Sequence, residues 1–201
     1  MGHKFAELAF TPNVKAEQVA RGSRGSYERF EKGESHHNVL GSQEAHFIGL
    51  RDSFYMATVS ETGWPYIQHR GGPAGFLKVL DERTIGFADF RGNRQYISVG
   101  NLKSDNRVSL FLMDYANKAR LKILGRARAI DASDEDMLKR LALPTYAAQV
   151  ERGMLISVEA FDWNCPKHIT QRFTLAEIEA ATVPLRKRIQ ELETSLLASE
   201  E

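Results

Sequence analysis

The sequence predicts a mainly β protein: a closed or partly closed antiparallel barrel, preceded by a helical arm and followed by a helical tail. Three observations lead there. Seven short extended segments succeed one another from Ser53 onward, polar connections too short for parallel crossovers join several of them, and only two helical patterns interrupt the run.

The arm occupies residues 1–42, where "TPNVKAEQVARGSRGSYERFEKGESHH" mixes short helical patterns with repeated glycine. Thr11 before Pro12 marks a helix start with proline at its first position, and Gly22 marks a stop. Tyr27 and Phe30 stand three apart on the next short helix and share a face that needs a cover. The arm is therefore expected to lie over the barrel or over a partner subunit. After Gly41, Ala45, Ile48 and Gly49 fall near helical spacing.

The body, residues 43–173, is expected to hold strands at 53–60, 64–70, 76–80, 84–90, 107–115, 121–130 and 154–161. Glu61-Thr62-Gly63, Asp81-Glu82-Arg83 and Tyr115-Ala116-Asn117 are the short polar turns between neighbours. In "RLKILGRARAI" the residues Leu121, Ile123, Gly125, Ala127 and Ala129 share one face, and Lys122, Arg126 and Arg128 make the other face basic. The helical interruptions are "GNRQYISVGNL" and "SDEDMLKRLA", the second opening on Ser133 with Asp136 three residues on, close to a capping box.

The tail, 174–201, starts on a second such box, Thr174 to Glu177, and carries Leu185, Ile189, Leu192 and Leu196 at spacings of four, three and four. Pro184 is expected to kink or divide it. The apolar stripe is expected to pack on the chain's own body, with pairing to the same helix of a second copy as the alternative.

Composition bounds the function. A chain of 201 residues that is 42% apolar and 26% charged can bury a core without disulfides or structural metal. Its 27 basic and 26 acidic residues leave a net charge of +1, which gives no broad field for nucleic acid or an anionic membrane, so an anion site has to be local. No apolar run approaches the ~20 residues that cross a bilayer, and Met1 to Phe10 is interrupted by His3, Lys4 and Glu7, so the cytoplasm is the expected address. Cys165 is the one cysteine, which excludes an internal disulfide framework, a CxxC pair and an all-cysteine metal site. It is expected as a buried thiol, and redox chemistry would need a bound cofactor.

Three patches carry chemistry. In "FADFRGNRQY" a strand gives way to a helix at Arg91, Gly92, Asn93, Arg94 and Gln95, where backbone N–H and guanidinium groups can converge on a phosphate dianion. Ordinary surface arginines beside a turn would leave the same trace. In "QHRGGPAG", Gln68, His69 and Arg70 run into glycines that let backbone approach a flat ligand, and His69 alternatively reads as a structural histidine. In "EAFDWNCPKHITQRF", Trp163, His168 and Arg172 occupy an irregular stretch, where Trp163 either covers an aromatic cofactor or seals the barrel end.

These segments also carry a family likeness. In order, "FYMATVSETGWPYIQHRGG", "TIGFADFRGNRQYISVGNLKSDNRVSLFL" and "RLKILGRARAI" resemble the strands of pyridoxamine 5'-phosphate oxidase-like FMN-binding split barrels. The resemblance implies an antiparallel split β-barrel that dimerises with FMN in a groove between subunits. Carried over, it implies FMN contacts at Gln68, His69, Arg70, Phe87, Ala88, Asn93, Arg94 and Gln95, with Trp163 and Arg172 similar to a tryptophan and arginine that reach the cofactor of the other subunit. Gly71-Gly72-Pro73 stands where oxidases of the vitamin carry a basic residue for the substrate phosphate, so the likeness is closer to the flavin-binding branch than to vitamin oxidation. The implied function is an oxidoreductase transferring hydride at flavin N5 with a small substrate. Alternatives are a flavin-binding or sensing module without turnover, and a barrel whose groove holds haem or a deazaflavin, with His69 or His168 as the haem ligand.

Overall fold

A computed structural model describes residues 3–33, 37–163 and 166–199. Cys165 and His36 lie outside the described residues, so the expected burial of the thiol has no structural counterpart here. The chain divides into two compact units, Met1–Met113 with Arg120–Cys165, and Asp114–Ala119 with Pro166–Glu201.

In the first unit, α1 (Lys4–Ala9), α2 (Pro12–Ala20) and α3 (Arg24–Glu31) form the arm, and α4 (Ser42–Gly49) leads into the strands. Thr11 caps α2, its hydroxyl accepting from the Val14 N–H at 3.5 Å, and Gly22 ends that helix at φ 71°. Phe10 sits edge-on to Tyr27 at 5.4 Å, and Phe5 and Ala6 are buried. His37 accepts a backbone bond from Phe161 N–H at 2.8 Å, and Leu40 N–H donates to Glu82 at 2.8 Å, so the chain after α3 is laid along the barrel wall.

The strands are β1 (Ser53–Val59), β2 (Pro65–Gly71), β3 (Lys78–Asp81), β4 (Thr84–Phe90), β5 (Arg107–Asp114), β6 (Ala119–Ile130) and β7 (Val150–Trp163), in the sheet order β2-β1-β5-β6-β7-β4-β3. β1 pairs antiparallel with β2 and β5, and β4 with β3 and β7. The two edge strands, β2 and β3, are consecutive in the chain, joined by the six residues 72–77. Seven flat strands would put those edges roughly 29 Å apart, farther than the roughly 25 Å that such a link can reach. The sheet therefore has to curl. Its interior confirms this, because Phe54 of β1, Phe76 of the link and Phe87 of β4 touch with centroids 5.4–6.3 Å apart, all fully buried.

Opposite Leu124 and Gly125 the register skips Glu159, a bulge that bends β7 against β6. A Cβ at Gly125 would lie 2.5 Å from the Ser157 carbonyl oxygen, a backbone atom that cannot rotate away. Gly125→Ala is expected to cost about 1–3 kcal/mol by overpacking, read as a lowered urea midpoint at unchanged slope.

Two helices interrupt the strands. α5 (Ile97–Asn101) is shorter than its sequence pattern because Arg94 and Tyr96 sit in the left-handed region at φ 62° and 55°. α6 (Glu135–Leu141) is capped by Asp134, which accepts from Met137 N–H at 3.1 Å, rather than by Ser133, whose hydroxyl is taken by Asp131 at 2.9 Å. The one-residue shift arises because the Asp131–Ser133 turn claims the serine first.

His3 is buried between Phe30 at 3.9 Å and His37 at 4.0 Å, with neither ring nitrogen hydrogen-bonded. Burial, then the neighbouring His37, holds it below its ordinary 6.5, against the pull of Asp162. A depressed folded-state pKa means stability that is present above 6.5 and lost as pH falls below it. The protection of α1 amides, taken as exchange relative to the unfolded chain at the same pH, is accordingly expected to fall between about pH 7.5 and 5.5 while that of the barrel strands holds.

In the second unit, α7 (Leu175–Ser199) begins with the expected box: Glu177 N–H donates to Thr174 Oγ1 at 3.2 Å, and Thr174 N–H to Glu177 Oε2 at 2.7 Å. Pro184 lies inside the helix without dividing it, since the carbonyl left without a donor is that of exposed Ala180, which water can satisfy. Leu185, Ile189, Leu192 and Leu196 are all exposed.

Candidate functional site

Alternation on β2 turns Gln68 and Arg70 inward and leaves His69 on the outside, exposed and edge-on to Tyr55 at 5.6 Å. Gln68 Oε1 accepts from the buried Ser98 hydroxyl at 2.8 Å, and Asn101 donates to Thr58 at 2.9 Å. These two bonds fix α5 against β1 and β2, and so fix the turn of residues 91–96 that precedes it.

Arg70 reaches across to β4, its Nη1 donating to Asp89 Oδ1 at 2.5 Å, with side chains only 12% and 9% exposed. Asp89 stands opposite Arg152 of β7, whose Nε lies 3.5 Å from Oδ2. Burial pushes the Asp89 carboxyl up, and the guanidinium groups of Arg70 and Arg152 pull against that shift. Arg70 also lies over the Phe87 ring at 5.7 Å, and its Nε is buried without a hydrogen-bond partner.

Beside this clamp, Tyr96 collects contacts. Arg94 Nε donates to Tyr96 Oη at 3.2 Å, Tyr96 Oη donates to Glu151 at 3.2 Å, and Arg152 lies over the Tyr96 ring at 5.0 Å while donating to Glu151 at 3.1 Å. The hydrogen bond from Arg94 to Tyr96 raises the Arg94 pKa, so the guanidinium stays charged. Asn93 Oδ1 accepts from Gln95 N–H at 3.2 Å, a side-chain turn that shapes the loop.

Two adjoining cavities open here. One of about 220 Å³ is bordered by Gln68, His69, Arg70, Phe76, Phe87 and Ala88, and one of about 250 Å³ by Asn93, Arg94, Tyr96 and Glu151. They share Gln68, Arg70, Asp89, Phe90 and Gly92, and so form one groove, apolar at one end and cationic at the other. A planar ring with a phosphate tail suits that division. The unpartnered Arg70 N–H is a donor awaiting an acceptor, and Arg94 with the Asn93 turn stands at the anion end.

Of the ten residues expected at the site, Gln68, His69, Arg70, Phe87, Ala88, Asn93 and Arg94 border this groove. Gln95 borders a neighbouring hollow with Ser60, Thr62 and Ile97. Trp163 is held elsewhere in the first unit, donating from Nε1 to Glu44 at 2.8 Å and edge-on to Phe47 at 4.8 Å. Arg172 belongs to the second unit, with its guanidinium 5.0 Å from the Tyr115 ring centre. The basic face of β6 does not serve the groove: Lys122 pairs with Asp162 at 2.8 Å, and Arg126 with Glu159 at 2.5 Å. Asp89 was read from the sequence only as part of the strand end beside the ring and not as a contact, and Tyr96, Glu151 and Arg152 escaped the sequence reading. The last two precede Met154, where the strand was expected to start, although β7 begins at Val150.

Among the described residues, no cluster of three or more His, Cys, Asp or Glu is placed to hold a metal, and no helix is long and apolar enough to cross a membrane.

Comparison with known proteins agrees with the fold. A family model described as pyridoxamine 5'-phosphate oxidase matches residues 42–179. Among solved structures, the chain is similar to HupZ from Group A Streptococcus, at 15% identity and TM-score 0.50, covering 67% of this chain and 100% of that one. It is also similar to a protein of the pyridoxinephosphate oxidase family from Clostridium acetobutylicum, related to general stress protein 26 (17% identity, 68% and 94% covered, TM-score 0.46). An FMN-binding protein from Syntrophomonas wolfei is a third (13% identity, 75% and 97% covered, TM-score 0.46). At these identities the likeness is one of fold. No curated protein matches the chain. The family match spans more than half of the sequence and coincides with the curled antiparallel sheet, so the chain belongs to the pyridoxamine 5'-phosphate oxidase-like split-barrel family.

Proposed function

We propose that this protein binds FMN in the groove between β2, β4 and the 91–96 turn, and works as an oxidoreductase on a small substrate. The observation that carries this is Arg70: a guanidinium clamped by Asp89, lying over Phe87, with a buried N–H left unpaired at the wall of a groove that ends in Arg94. FMN, when bound, supplies hydride exchange at N5. The protein's part is to hold and orient it. Arg70 and Gln68 offer polar contacts to a flavin edge, Phe87 and Ala88 an apolar wall, and Asn93 and Arg94 the phosphate contacts.

The proposed assembly is a homodimer. Trp64 and Ile67, at 76% and 65% exposed, and Tyr55 stand outward on β1, β2 and the turn joining them, an apolar sheet face that water disfavours and a second copy would cover. Such a partner would also close a groove that is small for a whole flavin. A strictly monomeric protein by light scattering that still binds FMN tightly would contradict this arrangement.

One feature favours a second reading, a flavin-holding module without turnover. Both acids of the groove are engaged, Asp89 by two arginines and Glu151 by Tyr96 and Arg152, so neither stands free as a general base. Stopped-flow mixing of the FMN-loaded protein with NADH or NADPH separates the two. Reduction within seconds supports the enzyme, and bound flavin that stays oxidised toward both nicotinamides and toward amines and alcohols supports the module.

A further inference from the structure

The exposed face of α7 has the spacing of a helix seam. Leu185, Ile189, Leu192 and Leu196 are 63, 55, 51 and 65% exposed, and every residue between them is polar, from Arg186 to Ser195. A helix that packs on a globular body presents a wider apolar face, whereas the two-in-seven stripe kept from Leu185 to Leu196, with exposed Val183 and Leu197 just outside that stretch, is the mark of a two-helix coiled coil. Ile178 and Thr182 continue the same register toward the N-terminus of the helix.

The charges beside the seam identify the occupant. With Ile189 at position a and Leu185 and Leu192 at d, Arg188 falls at g and Glu193 at e. In a parallel pair, g of one helix faces e of the next heptad on the other, so Arg188 of each copy meets Glu193 of the partner subunit. Arg186 at e faces an alanine position across the seam, and no like charges oppose one another. At the central layer, β-branched Ile189 at a between Leu185 and Leu192 at d is the combination that favours two parallel strands. We infer that α7 pairs in parallel and in register with α7 of a second copy of this chain. The pairing needs no flavin and stands or falls separately from the FMN proposal.

Cysteine cross-linking of the full-length chain tests it. In a Cys165→Ser background, Leu185→Cys, Leu192→Cys and Lys187→Cys, the last on the far side of the helix, are oxidised mildly and run on a non-reducing gel. The two seam cysteines are expected to give covalent dimer at least about tenfold faster than Lys187→Cys, with and without FMN. In an antiparallel pair the position facing residue 185 is residue 196, which leaves two Leu185→Cys sulfurs roughly 16 Å apart. Failure of Leu185→Cys to cross-link faster than Lys187→Cys overturns the proposal, whether the helix pairs antiparallel or lies on its own chain. Glu193→Arg is expected to slow the seam cross-link, and adding Arg188→Glu to restore it. Equal rates in all three backgrounds would remove the charge argument and the proposed register with it.

Discussion

Asp89→Ala is expected to destabilise the protein by about 3–5 kcal/mol, because it strands the Arg70 guanidinium in a region that water barely reaches and leaves Arg152 with Glu151 alone. The carboxylate is the shared partner of Arg70 and Arg152, and among the described residues no other acid pairs with Arg70. Removing one member of such a cluster leaves an uncompensated charge, which costs far more than the ion pair contributes. Asp89→Asn, which keeps a hydrogen-bond acceptor, should lose less. The double change Asp89→Leu with Arg70→Met, which removes both charges, should recover part of the stability. Urea unfolding of the four proteins checks this, and a loss below about 1 kcal/mol for Asp89→Ala would mean that the cluster is solvated like a surface pair.

Arg94→Ala and Arg70→Ala are each expected to weaken FMN binding by about 1.5–3 kcal/mol, the range for hydrogen bonds to charged groups, or about tenfold to a hundredfold in Kd. The two differ in kind. Arg94 stands at the anion end beside Asn93, so its loss should hurt FMN and leave riboflavin untouched. Arg70 lies over Phe87 at the apolar end, so its loss should weaken both ligands. Arg94→Gly serves as a control, since glycine accepts φ 62° without strain and keeps the turn while removing the guanidinium. If Arg94→Ala weakened binding but Arg94→Gly did not, the loss would belong to the backbone and not to the charge.

The barrel was legible because its signals are local. Turn residues at 61–63 and 115–117 and the alternation in β6 name the strands without knowledge of their partners. The groove was half legible for the same reason. Gln68 and Arg70 lie on one strand, Asn93 and Arg94 in one turn, and each stretch shows its polarity in sequence. Its counter-charges were not. Asp89 meets Arg152 only through the β4–β7 register, a pairing of residues 63 apart, and in the strand that carries Arg152 the polar Glu151-Arg152-Gly153 after Val150 hides where the strand begins. Trp163 shows the opposite failure. An aromatic on an irregular stretch suggests a ligand, but its indole N–H found Glu44 of α4, 119 residues away, a partner no local pattern announces.

The central claim is that the groove recognises a flavin through its phosphate. Titration of the purified full-length chain with FMN and, separately, with riboflavin, followed by quenching of flavin fluorescence, tests it most directly. The account predicts one FMN per chain, bound at least about tenfold tighter than riboflavin. Equal affinity for the two, or no quenching by either, would contradict it.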